Sequence, residues 1–137
     1  MIRQDDERIK SEWINKYGCA FISVLYYVNK FTNLSLSPAK IEIYFEQMKQ
    51  AGCFTEDLDI IWEKAFEFFD MKVAVTFKDD KYKLKKHEFA IAKWYNEKTN
   101  LSHFCPTENN VCLFDSLGDS VTVKEGCVES YRVFKRK

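Results

Sequence analysis

The fold of this chain is decided by the stretch Tyr17–Leu25, YGCAFISVL, in which a cysteine follows a glycine and opens an apolar segment. The apolar side chains continue towards Lys30 and would lie on nearly all sides of a helix beginning at Cys19. A helix that is hydrophobic all round is buried at the centre of a domain. The sequence therefore predicts a buried central helix, Cys19–Lys30, with a thiol at its first residue.

Further helices are predicted on both sides of this segment. A short charged helix is expected from about Asp5 to Trp13. The next helix has Ser37 as its N-cap and Pro38 in its first turn, and Gly52 ends it. A third helix is expected from Thr55 to Phe69, because acidic side chains after its N-cap would lie at the positive end of the helix dipole.

The second half has the alternation of apolar and polar residues that is typical of strands. A hairpin loop is expected over Pro106–Asn110, and the last strand is expected to close the sheet. The predicted extended segments are Val73–Phe77, Phe89–Tyr95, Leu101–Cys105, Val111–Phe114, Val121–Val123 and Ser130–Phe134. Helices followed by strands indicate an α+β fold in one domain, residues 1–137, with the helices packed on an antiparallel sheet.

The composition argues against several classes of function. The 21 basic and 21 acidic side chains cancel, which leaves no electrostatic basis for binding nucleic acid or an anionic membrane. The charged N-terminus lacks the apolar stretch of a signal peptide, and no apolar run approaches the about 20 residues of a membrane span. Glycine-rich phosphate loops are also absent. We therefore expect a cytoplasmic protein without a cofactor.

The cysteines are not spaced like a disulfide framework or a zinc site. Their count is odd and their spacing irregular, so free thiols are expected; after export, Cys105 and Cys112 would be the pair to form a bridge. His103 with Cys105, Cys112 and Cys127 could in principle surround zinc, but paired Cys-x-x-Cys motifs are missing. The sequence therefore predicts no metal site.

Three residues in this chain have the types and the order of a nucleophilic catalytic set. Cys19 begins a helix, where the unpaired N–H groups and the dipole favour an anion. His103 lies in a predicted strand, and Asp115 follows the next strand, so the two can be neighbours across a hairpin. A carboxylate in that position would fix the imidazole tautomer and stabilise its cation.

Each residue also has a simpler interpretation. A cysteine among apolar residues is often a small core side chain, a strand histidine is often structural, and Asp115 before Ser-Leu-Gly is typical of a turn. His87 is an alternative base, although its charged neighbours predict an exposed and loosely held side chain. The catalytic hypothesis depends on the order and context of Cys19, His103 and Asp115 together.

The combined pattern resembles the papain-like cysteine peptidases, especially the compact branch of the bacteriocin-leader peptidases. The similar features are Tyr17-Gly18-Cys19 followed by Ser23-Val24-Leu25, a strand with His103-Phe104, and an apolar strand ending in Phe114-Asp115. The chain also resembles an uncharacterised bacterial family encoded on spirochaete plasmids and prophages. The first resemblance implies a papain-like fold and a Cys19–His103–Asp115 triad.

Two positions depart from that branch. It has Gly-Pro after the cysteine, where this chain has Ala20-Phe21, and it has an oxyanion-hole glutamine about six residues before the cysteine, where this chain has Trp13. Asn15 is the nearest amide and the candidate oxyanion donor, whereas Gln4 is too distant unless the chain folds back. Two functions remain open: a hydrolase of peptide, isopeptide or peptidoglycan-type amides, or an inactive papain-like scaffold that binds a protein partner.

Overall fold

A computed structural model describes every residue from Met1 to Lys137. The helices are α1 (Glu12–Tyr17), α2 (Cys19–Thr32), α3 (Pro38–Gln50), α4 (Trp62–Glu67) and α5 (Val121–Lys124). The strands are β1 (Val73–Asp79), β2 (Glu88–Asn96), β3 (Leu101–Glu108), β4 (Val111–Cys112) and β5 (Cys127–Arg136). The five strands form one antiparallel sheet, which confirms the α+β class.

The strand order in the sheet is β1-β5-β2-β3-β4. The expectation that the last strand closes the sheet is wrong, because β5 lies between β1 and β2 and pairs with both. Arg132 on β5, for example, is opposite Phe77 on one side and Ile91 on the other.

The main core lies between the helices and one face of the sheet, where side chains of α1 to α4 pack against Val73, Phe89, Ile91 and Phe134. As predicted, α2 is the buried central helix, and the Tyr27 hydroxyl donates a hydrogen bond to the Ala90 carbonyl on β2 at 2.6 Å. A smaller cluster covers the other face of the sheet. No helix is long and apolar enough to cross a lipid bilayer.

The prediction for α3 is confirmed, whereas the two other predicted helices were misplaced. The first lies at Glu12–Tyr17 instead of Asp5–Trp13, because Ser11 caps it by accepting from the Ile14 N–H and the Asp6 carboxylate turns the preceding chain. The segment Thr55–Ile61 is a loop, and α4 begins only at Trp62. The Thr55 hydroxyl accepts from the Asp59 N–H at 3.1 Å and so closes that loop instead of capping a helix.

The second half also differs from the prediction in two places. The hairpin turns at Asn109-Asn110, whose φ values of 49° and 65° match a tight turn, so Pro106 lies inside β3. The Pro106 carbonyl accepts a hydrogen bond from the Leu113 N–H, on the side of the short outer strand β4. Because the N–H and C=O groups of one strand residue point to the same side, the N–H that proline lacks would have faced β4 and not β2. The segment Val121–Val123 belongs to the one-turn helix α5, whose N-cap is Ser120.

Candidate functional site

The thiol of Cys19 lies at the first turn of α2, half-buried and facing a groove. Gly18 separates α1 from α2 and offers no side-chain cap to the N–H groups of that turn. A methyl group at Gly18 would collide with the Ile14 carbonyl oxygen, so glycine allows the last turn of α1 to close just before α2 begins. The junction therefore brings the thiol and the uncapped end of α2 to the same place.

His103 is held on β3 next to this thiol. Its side chain is buried, and its Nε2 is 2.9 Å from Oδ1 of Asp115. Burial alone would lower the pKa of His103, but the hydrogen bond to Asp115 and the contact with the Cys19 thiol outweigh it and raise the pKa from 6.5 to about 9. A pKa of about 9 gives the imidazole a positive charge at neutral pH, next to the carboxylate of Asp115.

Asp115 follows β4, in the turn that leads to α5. The β3–β4 ladder contains only two pairs, so His103 and Asp115 meet beyond its end and are not paired residues of the ladder. The carboxylate also accepts hydrogen bonds from the Leu117 N–H at 2.9 Å and from the Ser120 N–H and hydroxyl at 2.9 and 2.7 Å. Burial opposes ionisation, but the hydrogen bonds from His103 and Ser120 outweigh it and hold the pKa of Asp115 well below its usual range.

The N-terminal segment folds back onto this turn through Gln4. The Gln4 side chain is buried; its amide donates to the Asn15 carbonyl at 3.1 Å, and its carbonyl oxygen accepts from the Ser116 hydroxyl. The Asn15 amide in turn donates to the Gln4 main-chain carbonyl at 2.7 Å. Both amides thus join α1 to the Asp115 turn, and neither lines the groove beside Cys19.

The groove beside Cys19 has a volume of about 740 Å³. Its floor includes Phe104 and Arg132 of the sheet, and Trp62 packs edge-on against the Phe104 ring with centroids 5.7 Å apart. The aromatic residues of α1 and the loop before α4 add apolar walls, and Asp57 and Asp59 are exposed on that loop. A groove of this kind suits an extended chain with apolar side chains.

A possible set of metal ligands overlaps this site. Ligand atoms of His103, Cys105 and Asp115 all lie within 4.8 Å of one another, whereas Cys127 is exposed and outside the group. Zinc at 2.0–2.3 Å from its ligands would have to replace the hydrogen bond between His103 and Asp115, so metal binding and the Cys19 arrangement compete.

Two further thiols lie behind the triad. The interaction between the Cys105 and Cys112 thiols raises the pKa of Cys105, as burial also does. The same interaction lowers the pKa of Cys112, although burial opposes this shift. All five cysteines are free.

The sequence pattern predicts Cys19, His103 and Asp115 as site residues, but it does not predict the residues that hold Asp115 and α1 in place. Ser120 could have been found as an N-cap. The position of Gln4 has no local signal, because its contacts are with residues far along the chain. The alternative base His87 lies in an exposed turn at a positive φ of 69°, apart from this cluster.

The structure therefore defines an α+β protein with a cysteine, a histidine and an aspartate assembled at one end of a groove. The chain belongs to DUF261, a family of proteins of unknown function whose model matches residues 1–136. This membership agrees with the expectation of an uncharacterised family and lends no support to the papain-like resemblance. No curated protein and no solved structure matches the chain.

Proposed function

We propose that the protein is a papain-like cysteine hydrolase that cleaves a peptide, isopeptide or peptidoglycan-type amide bond. The observation that carries the proposal is the imidazole of His103, which lines the same groove as the Cys19 thiol and is held through Nε2 by the carboxylate of Asp115. The thiol and the carboxylate both raise the pKa of this imidazole. With Nε2 occupied, Nδ1 is the nitrogen left to exchange a proton with the thiol. A cysteine nucleophile needs such a cationic partner.

The chemistry follows in two displacements. Cys19 Sγ attacks the amide carbonyl, and the C–N bond breaks as His103 gives its proton to the leaving amine. His103 then takes a proton from water, which attacks the thioester and releases the acid and the Cys19 thiolate beside the protonated His103. The developing oxyanion would be held by the N–H groups of the first turn of α2, since the Asn15 amide donates to Gln4.

A binding module without turnover is the second candidate. The large side chains of Tyr17 and Leu101 line the groove and are 63% and 59% exposed. An apolar groove entrance of that kind also suits a protein partner that is bound but not cleaved.

The free thiols favour a reducing compartment, for which we propose the cytoplasm.

The reactivity of Cys19 distinguishes the two candidates. The protein is alkylated with iodoacetamide at pH 6 in the presence of EDTA, and each cysteine is followed by peptide mass spectrometry. An ordinary thiol with a pKa of about 8.5 is less than about 1% ionised at this pH. We expect Cys19 to react well before the exposed Cys127 and before Cys112, the one thiol whose pKa is lowered by another thiol.

One matched pair of variants and one further control complete the experiment. His103→Gln should slow the labelling of Cys19 by at least about tenfold, whereas His87→Gln should leave it unchanged. Cys112→Ala should also leave it unchanged. Equal and slow labelling of Cys19 and Cys127 would refute the hydrolase and leave the binding module.

A further inference from the structure

Arg132 is a cation on the floor of the groove, and its guanidinium lies between two aromatic rings. The guanidinium carbon is 5.0 Å from the centroid of Phe104 and 5.4 Å from that of Phe77. One terminal nitrogen donates to the Ser130 hydroxyl at 2.7 Å. These contacts fix the plane of the guanidinium and so remove much of the entropy that binding a ligand would otherwise cost.

The same guanidinium lacks a counter-ion. Its Nε is buried and has no hydrogen-bond partner within the protein. No carboxylate lies within ion-pair distance, and the neighbouring Glu129 pairs with Lys93 instead, at 3.9 Å. Burial lowers the pKa of the Arg132 guanidinium, and the charge of Glu129 only partly opposes this. A buried donor without a partner is costly, and a charge in that situation favours an anionic ligand.

Arg132 and the Cys19 cluster line the same groove. The ring on which Arg132 is stacked, Phe104, follows directly after His103 on β3. The acidic residues Asp57 and Asp59 belong to the exposed loop on the rim, so the floor and the rim carry opposite charges. An anion that enters the groove would therefore be drawn to the floor.

We propose that Arg132 is a carboxylate-binding site that selects what the groove accepts. A guanidinium held flat at the groove can donate from its terminal N–H groups to a carboxylate, while Nε stays buried beneath them. Resting on the proposed function, this assigns the substrate class: amides whose reacting bond lies close to a free carboxylate. That carboxylate is either the C-terminus of a peptide or an acidic side chain.

Binding is tested without turnover, in the full-length Cys19→Ala variant. The probes are N-acetylphenylalanine, its neutral amide, and the α-amide of N-acetylglutamate, each titrated to 50 mM. Binding is followed by the ¹H–¹⁵N resonance of the Arg132 Nε–H group, which Arg132→Lys removes and so assigns. We expect an acidic probe to shift this resonance and to bind at least about tenfold more tightly than the neutral amide. The tighter acid identifies whether the carboxylate is terminal or on a side chain.

Arg136→Lys is the matched control, because Arg136 lies on the same strand and stacks on Phe31 outside the groove. In both variants binding is followed by the backbone amide resonances of His103 and Phe104, which line the groove. The preference for an acid should disappear in Arg132→Lys and persist in Arg136→Lys. Equal binding of acid and amide, or no binding of either acid at 50 mM, would overturn the proposal. The binding experiment uses a variant without Cys19, so its failure would overturn the carboxylate site without changing the alkylation result. In the same way, failure of the alkylation test would refute the hydrolase without changing the binding result.

Discussion

The carboxylate of Asp115 serves two purposes at once. It closes a turn by accepting from Leu117 and Ser120, and it holds the imidazole of His103. The interpretation as an ordinary turn residue and the interpretation as an orienting carboxylate are therefore compatible. The turn is what makes the carboxylate rigid enough to hold a buried imidazole.

Replacing this carboxylate should lower the pKa of His103. In Asp115→Asn the hydrogen-bonding anion is lost while burial remains, so the pKa of His103 should fall from about 9 towards or below 6.5. An NMR titration of the imidazole C–H resonances measures this directly. His87 is the other histidine of the chain, so the variant His87→Gln assigns the remaining imidazole resonances to His103.

The stability of the protein should depend on pH through the same pair. The pKa of His103 is raised in the folded state, so its contribution is complete below about 6.5 and is lost as the pH rises through about 9. The pKa of Asp115 is lowered, so its contribution is lost in acid, below 3.8. Urea unfolding at pH 6.5 and pH 9.5 should differ by on the order of 3 kcal/mol. The difference should shrink in Asp115→Asn; an unchanged difference would assign the effect to other groups.

The contact of His103 with Asp115 could be predicted because each lies next to an apolar segment that specifies a strand. The roles of Gln4 and Arg132 could not. Gln4 meets Ser116 only because the N-terminal segment folds back over 112 residues of sequence. Arg132 becomes a groove residue only because β5 lies inside the sheet, opposite Phe77 on the neighbouring strand.

At the scale of elements, the short helix α5 positions the site through its N-cap. The Ser120 hydroxyl accepts from the Val123 N–H at 3.3 Å and also donates to Asp115. Ser120→Ala should therefore slow the alkylation of Cys19 as well as destabilise the protein by about 1 kcal/mol.

Ser37→Ala is the matched control for this prediction. Ser37 caps α3 by accepting from the Lys40 N–H at 3.2 Å and makes no contact with the site. It should show a similar loss of stability by thermal unfolding without any change in the labelling of Cys19. Equal labelling in both variants would mean that the cap does not control Asp115.

The misplaced elements share one cause. Thr55 followed by acidic residues matches a helix N-terminus, yet its hydroxyl closes a loop in which Leu58 has a positive φ of 63°. Val121–Val123 has the β-branched residues of a strand, yet the Ser120 cap turns it into a helix. Side-chain hydrogen bonds over a few residues decide both cases, and their outcome depends on packing that the local pattern does not contain.

At the scale of the molecule, the sheet is organised around β5 and β2, which pair with long strands on both sides, whereas β3 has only the two-residue β4 on its outer side. The amides of β5 and β2 should exchange hydrogen most slowly, with the free energy of global unfolding. The two-residue strand β4 and the first ten residues should exchange faster through local opening. Native-state hydrogen exchange measures these rates, and fast exchange in β5 would contradict the assigned strand order.

The position of β5 also determines how the chain reaches its fold. β1 and β2 are not neighbours, so both keep an open edge until β5 pairs with them. The pairing of β5 with β1 closes a loop of more than fifty residues, which makes it a slow step. Until β5 has paired, the β5 strand of a second copy of the chain can occupy the position between β1 and β2. Refolding at high protein concentration should therefore yield dimers that have exchanged β5, whereas dilute refolding returns each strand to its own chain.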